Sequence, residues 1–79
     1  MNNLEKYNAA FCAVFNIKEE NLNEDFSSVS VDNWDSINQL SLVTAVEDAF
    51  DIMLDPEDIL EFKSYKIGKG IILKYGVSV

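Results

Sequence analysis

Apolar residues recur at spacings of three and four along LEKYNAAFCAVF (Leu4, Tyr7, Phe11, Val14 and Phe15), which predicts an amphipathic first helix. Residues 16–35 are mostly polar but are interrupted by Ile17, Leu22, Phe26, Val29 and Val31. A loop this long in a small domain is expected to be pinned down by those side chains. The three-four spacing returns from Ser36 to about Phe50, with Asp35 placed as an N-cap. Asp55-Pro56-Glu57-Asp58 then supplies a cap, a proline at the first helical position and acids at the positive helix end. It opens a short helix through about Phe62. Ser64 caps a last helix that carries Ile67, Ile71, Ile72 and Tyr75 and is closed by Gly76. Gly68 and Gly70 inside it cost about 1 kcal/mol each relative to alanine, so this helix depends on packing. The β-branched run around Ile71 leaves a short strand as the alternative. The pattern predicts an all-α, four-helix bundle of three longer helices and one short one, forming a single domain over residues 1–79.

The second helix has a face that does not fit. At about 100° per residue from Ser36, Leu42, Val43, Val46, Ala49 and Phe50 fall between roughly 220° and 340°, a buried stripe. The opposite side holds Glu47 near roughly 20°, Asp51 near 60°, Thr44 near 80° and Asp48 near 120°. Leu40 and Ile37 lie in the middle of that polar side, with Ser36 at its top. Single exposed apolar residues are ordinary. An apolar centre ringed by acids below a helix N-terminus is instead the pattern of a docking patch whose rim charges steer a partner.

Charge sharpens this picture. The net charge is −8, from fourteen acids and six lysines, with no arginine or histidine. Residues 1–62 carry every acid and only Lys6 and Lys18, for −12, whereas residues 63–79 carry Lys63, Lys66, Lys69 and Lys74 and no acid, for +4. Nucleic acid and anionic membranes are therefore excluded as partners for most of the surface, and a basic partner surface is favoured. No apolar run is long enough for membrane insertion, and MNNLEKYNAA lacks the basic start and apolar stretch of a signal peptide, so the expected location is cytoplasmic. Cys12 is alone and reads as a small packing residue. No stretch has calcium-loop spacing, and Asp51-Ile52-Met53-Leu54-Asp55 puts apolar residues where ligands belong. No metal site is expected.

Ser36 is either a helix cap or a chemical site. A serine nucleophile needs a base to take its proton, and this chain has no histidine. No catalytic residues are expected. A helix N-terminus does favour an attached anion, because its first N–H groups are unpaired and its dipole is positive there.

Asp35-Ser36-Ile37, the helix NQLSLVTAVEDAFDI after it and the capped short helix together resemble the acyl carrier proteins and their peptidyl and polyketide relatives. The resemblance covers essentially the whole chain. It implies a non-enzymatic, monomeric carrier whose Ser36 receives 4′-phosphopantetheine from coenzyme A through a magnesium-dependent phosphopantetheinyl transferase. The thiol of that arm then carries acyl groups as thioesters. The resemblance also makes residues 36–51 the partner-recognition helix. Ile37, Leu40 and Thr44 become its apolar contacts, and Glu47, Asp48 and Asp51 face basic docking surfaces on acyl-loading, condensing and acyl-transfer enzymes. Asp35 precedes the attachment serine and helps hold the transferase's metal.

Four features depart from the carriers of primary fatty-acid synthesis. Ile37 replaces the usual leucine, Asn38 and Ser41 stand where acids are usual, Trp34 directly precedes the motif, and the tail is basic. These favour a carrier dedicated to a specialised pathway (polyketide, nonribosomal or modified lipid) over general fatty-acid synthesis. The alternative is an unmodified acidic helical adaptor in which Ser36 is only a cap.

Overall fold

The computed structural model describes residues 2–79. Its helices are α1 (Asn3–Phe15), α2 (Ser36–Phe50), α3 (Pro56–Glu61) and α4 (Tyr65–Leu73), with a 3-10 turn at Glu19–Asn21. The described residues contain no strand beyond one antiparallel bridge, Ser27 to Ser64, so the all-α expectation holds and the strand alternative at Ile71 does not. Local chemistry starts each long helix. Asn2 accepts from Glu5 N (2.8 Å), Asp35 from Asn38 N (2.8 Å) and Ser64 from Ile67 N (2.9 Å), each satisfying a donor that has no partner within its helix. Asp55 makes no such bond, so α3 starts on the preset backbone of Pro56 alone. α1 and α2 end on Asn16 and Asp51 in the left-handed conformation (φ 54° and 53°), which these side chains tolerate better than most.

The core is organised around the ring of Phe11. Tyr7, Phe15, Phe26, Trp34, Phe62 and Tyr65 all lie 5.0–6.3 Å from it, centroid to centroid. Ala10 of α1, Leu42, Val43 and Val46 of α2, Ile71 and Ile72 of α4, and Leu54 and Val77 outside the helices complete the core. The long loop is pinned as expected at Phe26, which is buried, and at Ile17, Leu22 and Val31, which pack against the core. Val29 is not a pin. Ser30 N and Val31 N both bond Ser27 O, and Val29, inside that turn, is 95% exposed. Cys12 is half-buried, and burial followed by the Glu19 charge raises its thiol pKa, which suits packing rather than reactivity.

Several positions differ from the helical wheel. Leu4 and Ile67 are exposed, and Phe50, near the end of α2, is only half-buried. α4 stops at Leu73, so Tyr75 lies in the turn beyond it and Gly76 follows at φ +85°. Gly68 and Gly70 play opposite parts. A Cβ on Gly68 would sit 2.5 Å from Phe62 Cζ and closer still to Tyr7 Oη, whereas a Cβ on Gly70 meets nothing. Close approach of α4 to the aromatic core requires glycine at 68 only.

Tyr75 instead reaches back to α3. Its hydroxyl donates to Asp58 Oδ2 and accepts from Asp55 N (3.0 Å), while Lys74 Nζ donates to Asp58 Oδ1. Buried Asp58 thus ties α3 to the end of α4, and the Lys74 and Tyr75 donors hold its carboxyl below the usual carboxylate range.

Two predictions come from this packing. Gly68→Ala should destabilise, because overpacking at about 1–3 kcal/mol outweighs the helix-propensity gain of about 1 kcal/mol, whereas Gly70→Ala should stabilise. Denaturant midpoints of opposite sign are expected; equal midpoints would show that α4 is not pressed against Tyr7 and Phe62. For Asp58, a depressed folded-state pKa means its contribution is complete above the ordinary carboxylate value and is lost as pH falls through the lower folded value. Asp58→Asn should therefore lower the thermal midpoint at neutral pH, and its difference from wild type should narrow only as pH falls below the ordinary carboxylate range.

Candidate functional site

The chain enters α2 under tight local control. Trp34 is buried against Phe11 and Phe15, and its Nε1 donates to Gln39 Oε1 (2.7 Å). Gln39 Nε2 donates in turn to Ile59 O (2.7 Å), tying the loop, α2 and α3 together. Asn38 Nδ2 donates to Asn33 O (2.7 Å), and Gln39 N donates to Asp35 O (2.8 Å). Ser36 thus stands on a backbone held from both sides. The cap of α2 is the Asp35 carboxylate, so the Ser36 side chain is not needed for capping, and it is exposed. The first turn of α2 contains no acid, so Asp35 at the cap is the one carboxylate at its positive end.

Beside Ser36 a cleft of about 460 Å³ opens between α2 and α3. Trp34, Leu40, Ile59 and Leu60 give it an apolar part, and Ser28, Asp35, Gln39 and Lys63 line it as well. An exposed hydroxyl at a helix start, beside a partly apolar cleft that also holds a cation, is chemically suited to a flexible phosphate-linked arm.

The expected docking residues are not equivalent. Ile37 and Leu40 are 76% and 59% exposed. Leu40, Thr44 and Asp48 line a shallow groove down the outer face of α2 together with Ser41 and Ala45. Asp51 is exposed at the C-cap. Glu47 differs from the expected solvated position. It is half-buried, and its Oε2 accepts from Leu54 N (2.8 Å) while its carbonyl accepts from Asp51 N and Ile52 N. At roughly 20° it borders the buried stripe, and the chain folding back along that edge takes up its carboxylate.

Sequence reasoning missed Gln39 and the joining role of Trp34. The signal was faint: a buried indole needs an acceptor for its N–H, and Gln39 is one turn further on. Among the described residues, no cluster of potential metal ligands occurs and no helix is long and apolar enough to cross a membrane.

Comparison with curated proteins finds no match. A family model described as "phosphopantetheine attachment site" matches residues 9–66, which include the loop, all of α2 and α3 and the start of α4. The family attaches a 4′-phosphopantetheine group covalently. The match takes in most of the chain, together with the capped helix start, exposed serine and adjoining cleft, and the protein belongs to this phosphopantetheine-binding family of carrier domains.

Proposed function

We propose that Ser36 is the attachment residue and that the protein is an acyl carrier. The observation that carries this reading is the division of labour at residues 35 and 36: Asp35 caps the helix, so the exposed Ser36 hydroxyl is available for chemistry. In the transfer, Ser36 Oγ bonds to the phosphorus of coenzyme A that bears the pantetheine. The pyrophosphate P–O bond breaks, and adenosine 3′,5′-bisphosphate leaves with the bridging oxygen. The Ser36 proton passes to a base supplied with the transferase, since this chain has no histidine to take it. Once attached, the arm supplies a terminal thiol that carries acyl groups as thioesters.

Partners are the phosphopantetheinyl transferase and the acyl-loading, condensing and acyl-transfer enzymes of a dedicated pathway. Ile37 and Leu40 offer them exposed apolar contact with Thr44 beside, and Asp48, Asp51 and Asp35 offer charge. Glu47 belongs to the scaffold of this surface, because its carboxylate holds the turn after α2. The acid-free first turn of α2 supports the dedicated-pathway reading. Family membership counts against an unmodified adaptor.

Incubation with coenzyme A, magnesium and a broad-specificity transferase should add one phosphopantetheinyl group by intact mass. Ser36→Ala should remain folded, because Asp35 keeps the cap, and should gain nothing. Modification of that variant would assign the arm elsewhere.

Docking is tested by transfer rates at low and moderate salt. Asp48→Lys should slow transfer at low salt and flatten its salt dependence, because rim charge acts on encounter. Leu40→Ala should slow it at both salts, because the lost contribution is apolar burial. Glu47→Gln keeps the acceptor for Leu54 N and should stay near wild type. A wild-type rate for Asp48→Lys at low salt would move the docking site off this face.

A further inference from the structure

Lys63 occupies a distinctive place among the four lysines of the basic tail. Lys74 is bound to Asp58, Lys66 lies 4.0 Å from Glu24, and Lys69 sits over the Tyr65 ring at 4.4 Å. Lys63 has no such partner among the described residues. Its side chain is exposed and lines the same cleft as Ser36. Its backbone is clamped: Lys63 O accepts from Ser28 N (2.8 Å), Lys63 N donates to Glu61 O (2.8 Å), and Tyr65 N donates to Phe26 O (2.8 Å) across the bridge. The bridge fixes the root of a flexible, cationic side chain at the edge of the attachment cleft.

We propose that Lys63 is the counterion of the phosphodiester on Ser36, positioning the root of the arm at the mouth of the cleft; this rests on Ser36 being the attachment residue. An added phosphodiester brings a full negative charge next to Asp35 on a protein already at −8. The helix N-terminus offsets part of that repulsion but supplies only about half a charge. A lysine on the same cleft offsets more, and its long stem follows the arm without demanding one geometry. Bound this way, the phosphate anchors the arm's root while its thiol end stays free to reach partner enzymes.

The test compares thermal midpoints of the unmodified and phosphopantetheinylated forms, each confirmed by intact mass, for wild type, Lys63→Gln and Lys66→Gln. Attachment should raise the midpoint, or lower it less, in wild type and Lys66→Gln than in Lys63→Gln. The expected gap is about 1–8 °C, as for a solvent-exposed ion pair in a domain of this size. The gap should shrink with added salt. In the wild type, attachment should also shift the Lys63 side-chain Cε and Nζ NMR signals more than those of Lys66. An equal change on attachment in all three proteins, whatever happens to the rate of loading, overturns the role of Lys63. Failure of wild type to gain mass with an active transferase instead overturns the attachment reading itself.

Discussion

The packing of six aromatic rings around Phe11 is the constraint on which the rest of the structure depends. Net stability for a chain of this length is on the order of 4–12 kcal/mol. Truncating one fully buried phenylalanine costs about 3–5 kcal/mol. One ring therefore carries a weight comparable to much of the total. The rings are also drawn from everywhere: Tyr7 and Phe15 from α1, Phe26 and Trp34 from the loop, Phe62 after α3, and Tyr65 opening α4. Residues 16–35 have only a 3-10 turn of their own, so the backbone entropy lost in ordering them must be offset mainly by tertiary contact. Phe26 and Trp34 supply it, and Ser36 follows Trp34 by two residues. The packing that holds the loop therefore also places Ser36 and the start of α2.

The scaffold was legible where local chemistry decides. Asp35, Ser64 and Pro56 mark helix starts by mechanisms that act within a turn, and each helix begins beside its marker. Ile37 and Leu40 were legible as misfits because a 100° periodicity leaves no way to bury them together with Leu42 and Val46. Less legible was everything set by a partner distant in sequence. Glu47 looks solvated on a wheel until the chain at Leu54 returns to it. Phe50 looks buried until the helix ends beside it. Gly68 and Gly70 look alike in the sequence and differ only because Tyr7 and Phe62 stand over one of them. Gln39 gives no periodic signal, yet it joins Trp34 to Ile59 O.

Charge is also sorted by folding. The acid-rich and lysine-rich segments do not simply neutralise one another. Lys74 is drawn into the Asp58 network, while Lys66 and Glu24 are both largely exposed, so their pairing contributes little to stability. The outer face of α2 is left with Asp48 and Asp51, and no lysine lines its groove.

Along α2 this sorting separates two electrostatic tasks that would interfere at one point. With the arm on Ser36 as proposed, the start of the helix accepts an anion, and acids in its first turn would oppose that; Asn38 and Ser41 occupy positions where acids would be felt, and Asn38 is used to hold Asn33. The lower half, proposed to meet basic partners, keeps its acids several turns from Ser36, where screening over about 8–10 Å would limit their effect on a phosphate at that position. Leu40 lies between the two and lines both the cleft beside Ser36 and the groove on the outer face of α2. A partner that buries Leu40 is thereby brought beside the cleft. On the proposed assignment, apolar contact more than charge would couple docking to the position of the arm, because it acts only at contact distance and does not weaken with salt.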